Sequence, residues 1–211
     1  ESGVQFRIYS LHLKASSGNS NAQQRLQEAT ILRNYLKPKS TELSVLFESI
    51  KKIAQSVDWI YEFRVLGGEP FMVKNLFEVI NKLICVNNSG KIIIYTNGTI
   101  IPKNKNLDCL KNNKVHVDIS NYGKHSRNIE KLKRVLIDEN INYSSKIPIW
   151  TDSGRILPFQ QRTETETIEL FDNCCTNEVY TLLHGKFYRC PFSANADNLK
   201  AIPHNEDDFI D

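Results

Sequence analysis

The chain has 211 residues, 40% apolar and 24% charged, with a formal net charge of +3. This composition fits an ordinary globular protein with one large domain, or one domain and a small appendage. The weak charge gives no indication of a nucleic-acid or membrane surface, and no apolar run approaches the length of a membrane span.

Val4 to Tyr9 alternates apolar and polar residues and predicts a first strand. Leu11 to Asn21 is rich in Ser, Asn and Gly and reads as a loop, followed by a helical stretch from Ala22 to Tyr35 that Pro38 ends. Leu43, Leu46, Phe47, Ile50, Ile53, Ala54 and Val57 form one apolar stripe at helical spacing. A second strand, Trp59 to Arg64, runs into Val65-Leu66-Gly67-Gly68-Glu69-Pro70. Leu76 to Val86 is a helix that should bury Cys85. Lys91 to Tyr95 is a short apolar strand, and Leu107 to Asn112 a short helix in which Cys109 packs. Val115 to Ser120 alternates as a strand, Ile129 to Leu136 continues as a helix, and Tyr143 to Trp150 is a further strand interrupted by Pro148.

Strands separated by helices must run parallel through right-handed crossovers. Such a chain forms either an open doubly wound sheet or a curved partial barrel, and both place ligands at the carboxyl ends of the strands. Those ends carry Gly67-Gly68-Glu69, Thr96-Asn97-Gly98 and Ser120-Asn121-Tyr122-Gly123, all small, polar or flexible. By itself Gly67-Gly68 is equally a plain turn between strand and helix.

Beyond Trp150 the pattern changes to a loop, a short helix near Thr167 to Phe171, and Asn173-Cys174-Cys175. Tyr180 to Cys190 then reads as a hairpin turning at His184-Gly185, and the tail from Asn195 is polar and acidic. The five cysteines are too few for a disulfide scaffold and suit a reducing, cytoplasmic setting.

Three of these stretches, in order, resemble the radical S-adenosylmethionine (SAM) family. Gly67-Gly68-Glu69-Pro70 resembles its GGEP motif, and Tyr95-Thr96-Asn97-Gly98 its TNG motif. Ser120 falls where that family places a polar residue for the SAM ribose or carboxylate. The resemblance implies an α/β fold, a partial (βα)6 barrel of parallel strands over residues 1–155, with a small C-terminal hairpin appendage over 156–211. It implies SAM as a cofactor, with Gly67, Gly68, Glu69, Asn97 and Ser120 binding it. Cys174, Cys175 and Cys190 resemble the start of the auxiliary-cluster domains called SPASM and twitch, so the three thiols either ligate a second iron–sulfur cluster or simply pack under the hairpin.

The resemblance breaks at the loop after the first strand. The family's CxxxCxxC motif, which holds a [4Fe–4S] cluster, maps onto Leu11, Ala15 and Gly18. None of these side chains carries a ligand atom, and neighbouring hydroxyls do not replace thiolates. A degenerate relative, an engineered replacement and a shifted register each account for this. The resemblance therefore implies one of two functions. One is a radical SAM-type protein that cleaves SAM through the [4Fe–4S] cluster to a 5′-deoxyadenosyl radical, for hydrogen abstraction from a peptide or sugar-type substrate, with the cluster ligands missing here. The other is a cluster-less relative acting as a ligand-binding module. No GxGxxG, Walker, HExxH or Ser-His-Asp arrangement offers a competing chemistry.

Overall fold

The computed structural model describes residues 4–8, 43–66, 69–148, 162–174, 176 and 179–211. The expected loop and helix between residues 11 and 35 lie outside them. The architecture is mixed α/β. Its strands are β1 (Val4–Ile8), β2 (Ile60–Val65), β3 (Ser89–Thr96), β4 (Val115–Ser120), β5 (Tyr143–Lys146), β6 (Val179–Leu183), β7 (Lys186–Tyr188) and β8 (Phe209–Ile210). They form one sheet in the order β5-β4-β3-β2-β1-β6-β7-β8. The pairings from β5 across to β6 are parallel, whereas β6-β7 and β7-β8 are antiparallel.

Between them lie α1 (Leu43–Ser56), α2 (Leu76–Ile84), α3 (Lys105–Asp108) and α4 (Ile129–Asp138). From β1 to β5, strands adjacent in sequence are adjacent in space, the order that a uniform crossover hand produces. The helices accordingly share one face. Ile50 of α1, Leu76, Ile80 and Leu83 of α2, and Leu132 and Leu136 of α4 join Phe63, Val65, Ile92, Ile94, Val117 and Ile119 in one buried cluster. In α2 the buried residues 76, 79, 80 and 83 sit at helical spacing along one stripe. Fully burying an aliphatic side chain stabilises by about 1.5–3 kcal/mol, so this layer is the main source of cohesion.

Cys85 corrects an expectation. The helix stops at Ile84, and Cys85 is its exposed C-terminal cap. Position 85 lies two residues beyond Leu83, about 200° round the helix and so off the buried stripe. Cys109 is buried as expected.

The C-terminal hairpin forms where expected, with His184 and Gly185 both at positive φ (53° and 86°). That geometry matches the right-handed twist of the two arms. Its first arm, β6, also pairs in parallel with β1, and Leu182 enters the same core as the helices. The expected short helix is longer, α5 (Glu164–Asp172), opened by a capping box between Thr163 and Glu166. The tail carries two further elements: α6 (Pro191–Asn198) buries Ala194 and Ala196, and Phe209–Ile210 adds the last strand. Two alanines and a proline give too weak an apolar stripe to signal a helix. Among the described residues no helix is long and apolar enough to cross a membrane.

Candidate functional site

The candidate site is built at the carboxyl ends of β2, β3 and β4. Gly67 and Gly68 lie outside the described residues. Glu69, just beyond β2, is extended (φ −153°) and caps a 3-10 turn, Pro70–Met72, by accepting the Phe71 N–H at 3.1 Å. Pro70 occupies the first turn position, where its missing N–H costs nothing.

The same carboxylate reaches the end of β3. Thr96 donates its hydroxyl to Oε1 and Oε2 at 2.8 and 2.9 Å, and the Asn97 N–H donates to Oε2 at 2.9 Å. Three donors thus serve a carboxylate with about four acceptor positions. Glu69 is buried, and desolvation pushes its pKa up while hydrogen bonds from Asn97, Thr96 and Phe71 pull it down; the net shift is upward. Its side chain locks two strand ends together and keeps about one acceptor position for a ligand.

Beyond Thr96 the chain must turn sharply. Asn97 Oδ1 accepts from the Thr99 N–H and hydroxyl at 3.0 and 2.6 Å, and Gly98 takes φ 71°. A side chain in that left-handed region would be strained, which accounts for glycine after Asn97. Gly98 N–H donates back to the Thr96 hydroxyl at 3.2 Å.

The end of β4 joins through Ser126. Its buried hydroxyl donates to the Asn97 carbonyl at 2.6 Å and lies 3.3 Å from the Ser120 carbonyl, while accepting the Tyr122 N–H at 2.9 Å. Glu69, Asn97 and Ser120 therefore belong to one hydrogen-bonded assembly spanning three strand ends. The sequence reading missed two of its members. Thr96 lay within a recognised motif, so its hydroxyl could have been found. Ser126 sits in an ordinary polar run and carried no signal.

The sheet face opposite the helices is polar. Register aligns Tyr95, Asp118 and Ser144 in one row across β3, β4 and β5, and Arg64, Ile93 and His116 in a row nearer the amino ends. Lys146 Nζ lies 2.7 Å from Asp118 Oδ2 and 5.7 Å from the centre of the Tyr95 ring. Glu62 pairs with Arg64. His116 shares a 2.9 Å hydrogen bond with Ser144, and burial is the largest of the effects that lower its pKa. Asp118 Oδ1 and Thr181 Oγ1 are buried without a hydrogen-bond partner among the described residues.

The C-terminal cysteines are arranged differently. Cys174 Sγ is 3.2 Å from the Thr176 hydroxyl, and Cys190 caps α6 by accepting the Phe192 N–H at 3.3 Å. Both are free thiols; Cys175, like Leu11, Ala15 and Gly18, lies outside the described residues. Among the described residues no three His, Cys, Asp or Glu side chains come together as metal ligands. Nearby, Asp197 accepts from the Tyr188 hydroxyl and pairs with His204 Nδ1, each at 2.7 Å.

Compared with known proteins, the chain matches no family model and no curated protein sequence.

Proposed function

We propose that the chain is a radical SAM-type scaffold, a partial (βα)6 barrel that binds the methionine end of SAM at the carboxyl ends of β2, β3 and β4. The observation that supports this reading is the Glu69–Thr96–Asn97 assembly. It joins the two motif-like stretches at neighbouring parallel strand ends, where α/β folds hold their ligands. On this reading SAM is bound by Glu69, Asn97 and Ser120, with Gly67 and Gly68 as the resemblance implies.

A [4Fe–4S] cluster would supply the electron that cleaves SAM in such a protein. Leu11, Ala15 and Gly18 do not fit it, since none can ligate iron. No radical step is therefore assigned to this chain, which acts as a binding module in the reducing cytoplasm that its free cysteines suit.

Calorimetric titration of the chain with SAM, without iron, tests the binding. Saturable binding that Glu69→Ala weakens is expected, and no heat at millimolar SAM sinks the reading. Leu11→Cys, Ala15→Cys and Gly18→Cys together, with anaerobic iron and sulfide, test the scaffold's ancestry. Iron uptake and 5′-deoxyadenosine are expected, and absence of both argues for an unrelated α/β protein.

A further inference from the structure

The segments that leave β2, β3 and β4 at their carboxyl ends, residues 70–75, 97–105 and 121–128, are tied into one surface. Asn106 makes the first tie. Its Nδ2 donates to the Val73 carbonyl at 3.0 Å, and its Oδ1 accepts the Phe77 N–H at 3.0 Å. Asn128 makes the second, donating from Nδ2 to the Thr99 carbonyl at 2.6 Å and from its N–H to the Gly98 carbonyl at 3.0 Å. Charges carried on separate segments are therefore held at fixed separations and add into one field.

Those charges have one sign. Lys74, Lys103, Lys105, Lys124 and Arg127 are exposed, and the three segments contain no aspartate or glutamate. Five cations without a carboxylate gather here, although the whole chain has a net charge of only +3. The acids that follow, Glu78, Asp108 and Glu130, lie within the helices, and the last two face Lys111 and Lys133 at 3.6 and 3.1 Å. The same surface exposes aliphatic groups: directly before Lys74, Met72 is 71% and Val73 46% exposed. A lone exposed methionine is ordinary, but apolar side chains set among clustered cations have the composition of an interfacial membrane contact.

Two kinds of polyanion suit a basic surface. Nucleic acid is held largely by arginine and by exposed aromatic rings on which bases stack. Here four of the five cations are lysines, Phe71 is buried and Tyr122 half-buried. An anionic bilayer takes lysines at its headgroups and aliphatic groups just beneath them, and Met72 and Val73 supply the second need.

We propose that this three-segment rim docks the protein on an anionic phospholipid membrane, its cations against the headgroups and Met72 and Val73 in the acyl boundary. The contact is peripheral. It goes beyond SAM binding and does not depend on it.

The test is sedimentation of the full chain with vesicles of phosphatidylcholine alone, or with about one third phosphatidylserine, at about 0.05 and 0.5 M salt. Binding is expected on the anionic vesicles at low salt, and its loss at high salt and on the neutral vesicles. Each lysine at such a surface contributes a factor of about five, so Lys103→Gln with Lys124→Gln should weaken binding about 25-fold. Met72→Ser should weaken it about tenfold. Lys51→Gln with Lys52→Gln, an equal loss of charge on α1 outside the rim, should change it less than about twofold. All these side chains are exposed, so the variants keep the fold. No binding to anionic vesicles, equal binding to neutral ones, an equal loss from the α1 pair, or indifference to Met72→Ser overturns the proposal. Tighter binding to a DNA oligonucleotide than to vesicles at the same salt would make the rim a nucleic-acid surface and overturns it too. A failed SAM titration leaves this result standing, and failure here leaves that titration standing.

Discussion

Glu69 and Thr96 come from different strand ends, 27 positions apart in the chain, yet the Thr96 hydroxyl meets both oxygens of the Glu69 carboxylate. The pair fixes the end of β2 against the end of β3. Glu69→Gln presents an amide N–H₂ to donors that need an acceptor. It should destabilise the fold by about 2 kcal/mol in urea unfolding, the cost of leaving a buried donor unmatched. Thr96→Val, which removes the donor and keeps the shape, should cost about 1 kcal/mol. The double variant should cost less than the sum, because the two side chains share one interaction. Strict additivity would show that they act independently.

The same pair has a pH signature. Burial raises the Glu69 pKa above its ordinary value of 4.5. A raised folded-state pKa contributes stability that is present in full below the unfolded value and is lost as pH rises through the folded one. The difference in stability between the native chain and Glu69→Gln should therefore be larger at pH 4 than at pH 7. Comparing the two proteins at each pH cancels the titration of other carboxylates. A difference that grows toward neutrality would contradict the upward shift.

At the C-terminus, the hydrogen bond from His204, followed by that from Tyr188, lowers the Asp197 pKa below its ordinary 3.8. Here the sign reverses. The stabilisation is present above the unfolded value and disappears as pH falls through the folded one. Asp197→Asn removes the charge at every pH, and amide hydrogen exchange at Phe209 and Ile210 should then quicken at pH 7. Unchanged exchange would mean that β8 is held by β7 alone.

The thiols should separate by reactivity. Cys109 is buried, and desolvation pushes its pKa up to about 11, so its thiolate is scarce at pH 8. Exposed Cys85 should be labelled by a maleimide within minutes, while Cys109 stays unmodified until the protein is unfolded. Peptide mapping by mass spectrometry reads both sites. Labelling of Cys109 at the rate of Cys85 would place it outside the core.

The strands and the longer helices α1, α2 and α4 between residues 43 and 138 were legible because each has one dominant apolar stripe. Ile50, Ile80, Leu83 and Leu136 fall on helical stripes, and Ile92, Ile94, Val115, Val117 and Ile119 alternate along their strands. Local periodicity was enough there. The strand-end residues Glu69, Asn97 and Ser120 were legible as turn chemistry, but what they do to one another was not. The bond from Glu69 to Thr96, and the one from Ser126 to Asn97, exist only once parallel pairing has aligned the strand ends. Asp118 passed as one polar residue in an alternating strand, because the sequence does not record that Lys146 satisfies only one of its oxygens. Pairing of β6 with β1 was equally hidden, since nothing in either segment specifies a partner so distant in sequence.

That distant pairing bears on how the protein is made. β2 covers one edge of β1 as soon as residue 65 has folded, whereas the other edge waits for Val179–Leu183. During synthesis at about 5–20 residues per second, the first strand spends several seconds with a row of backbone donors and acceptors open to any other extended chain. The hairpin of β6 and β7 thus closes the second edge of β1. Deleting it would be felt first as self-association of the nascent sheet.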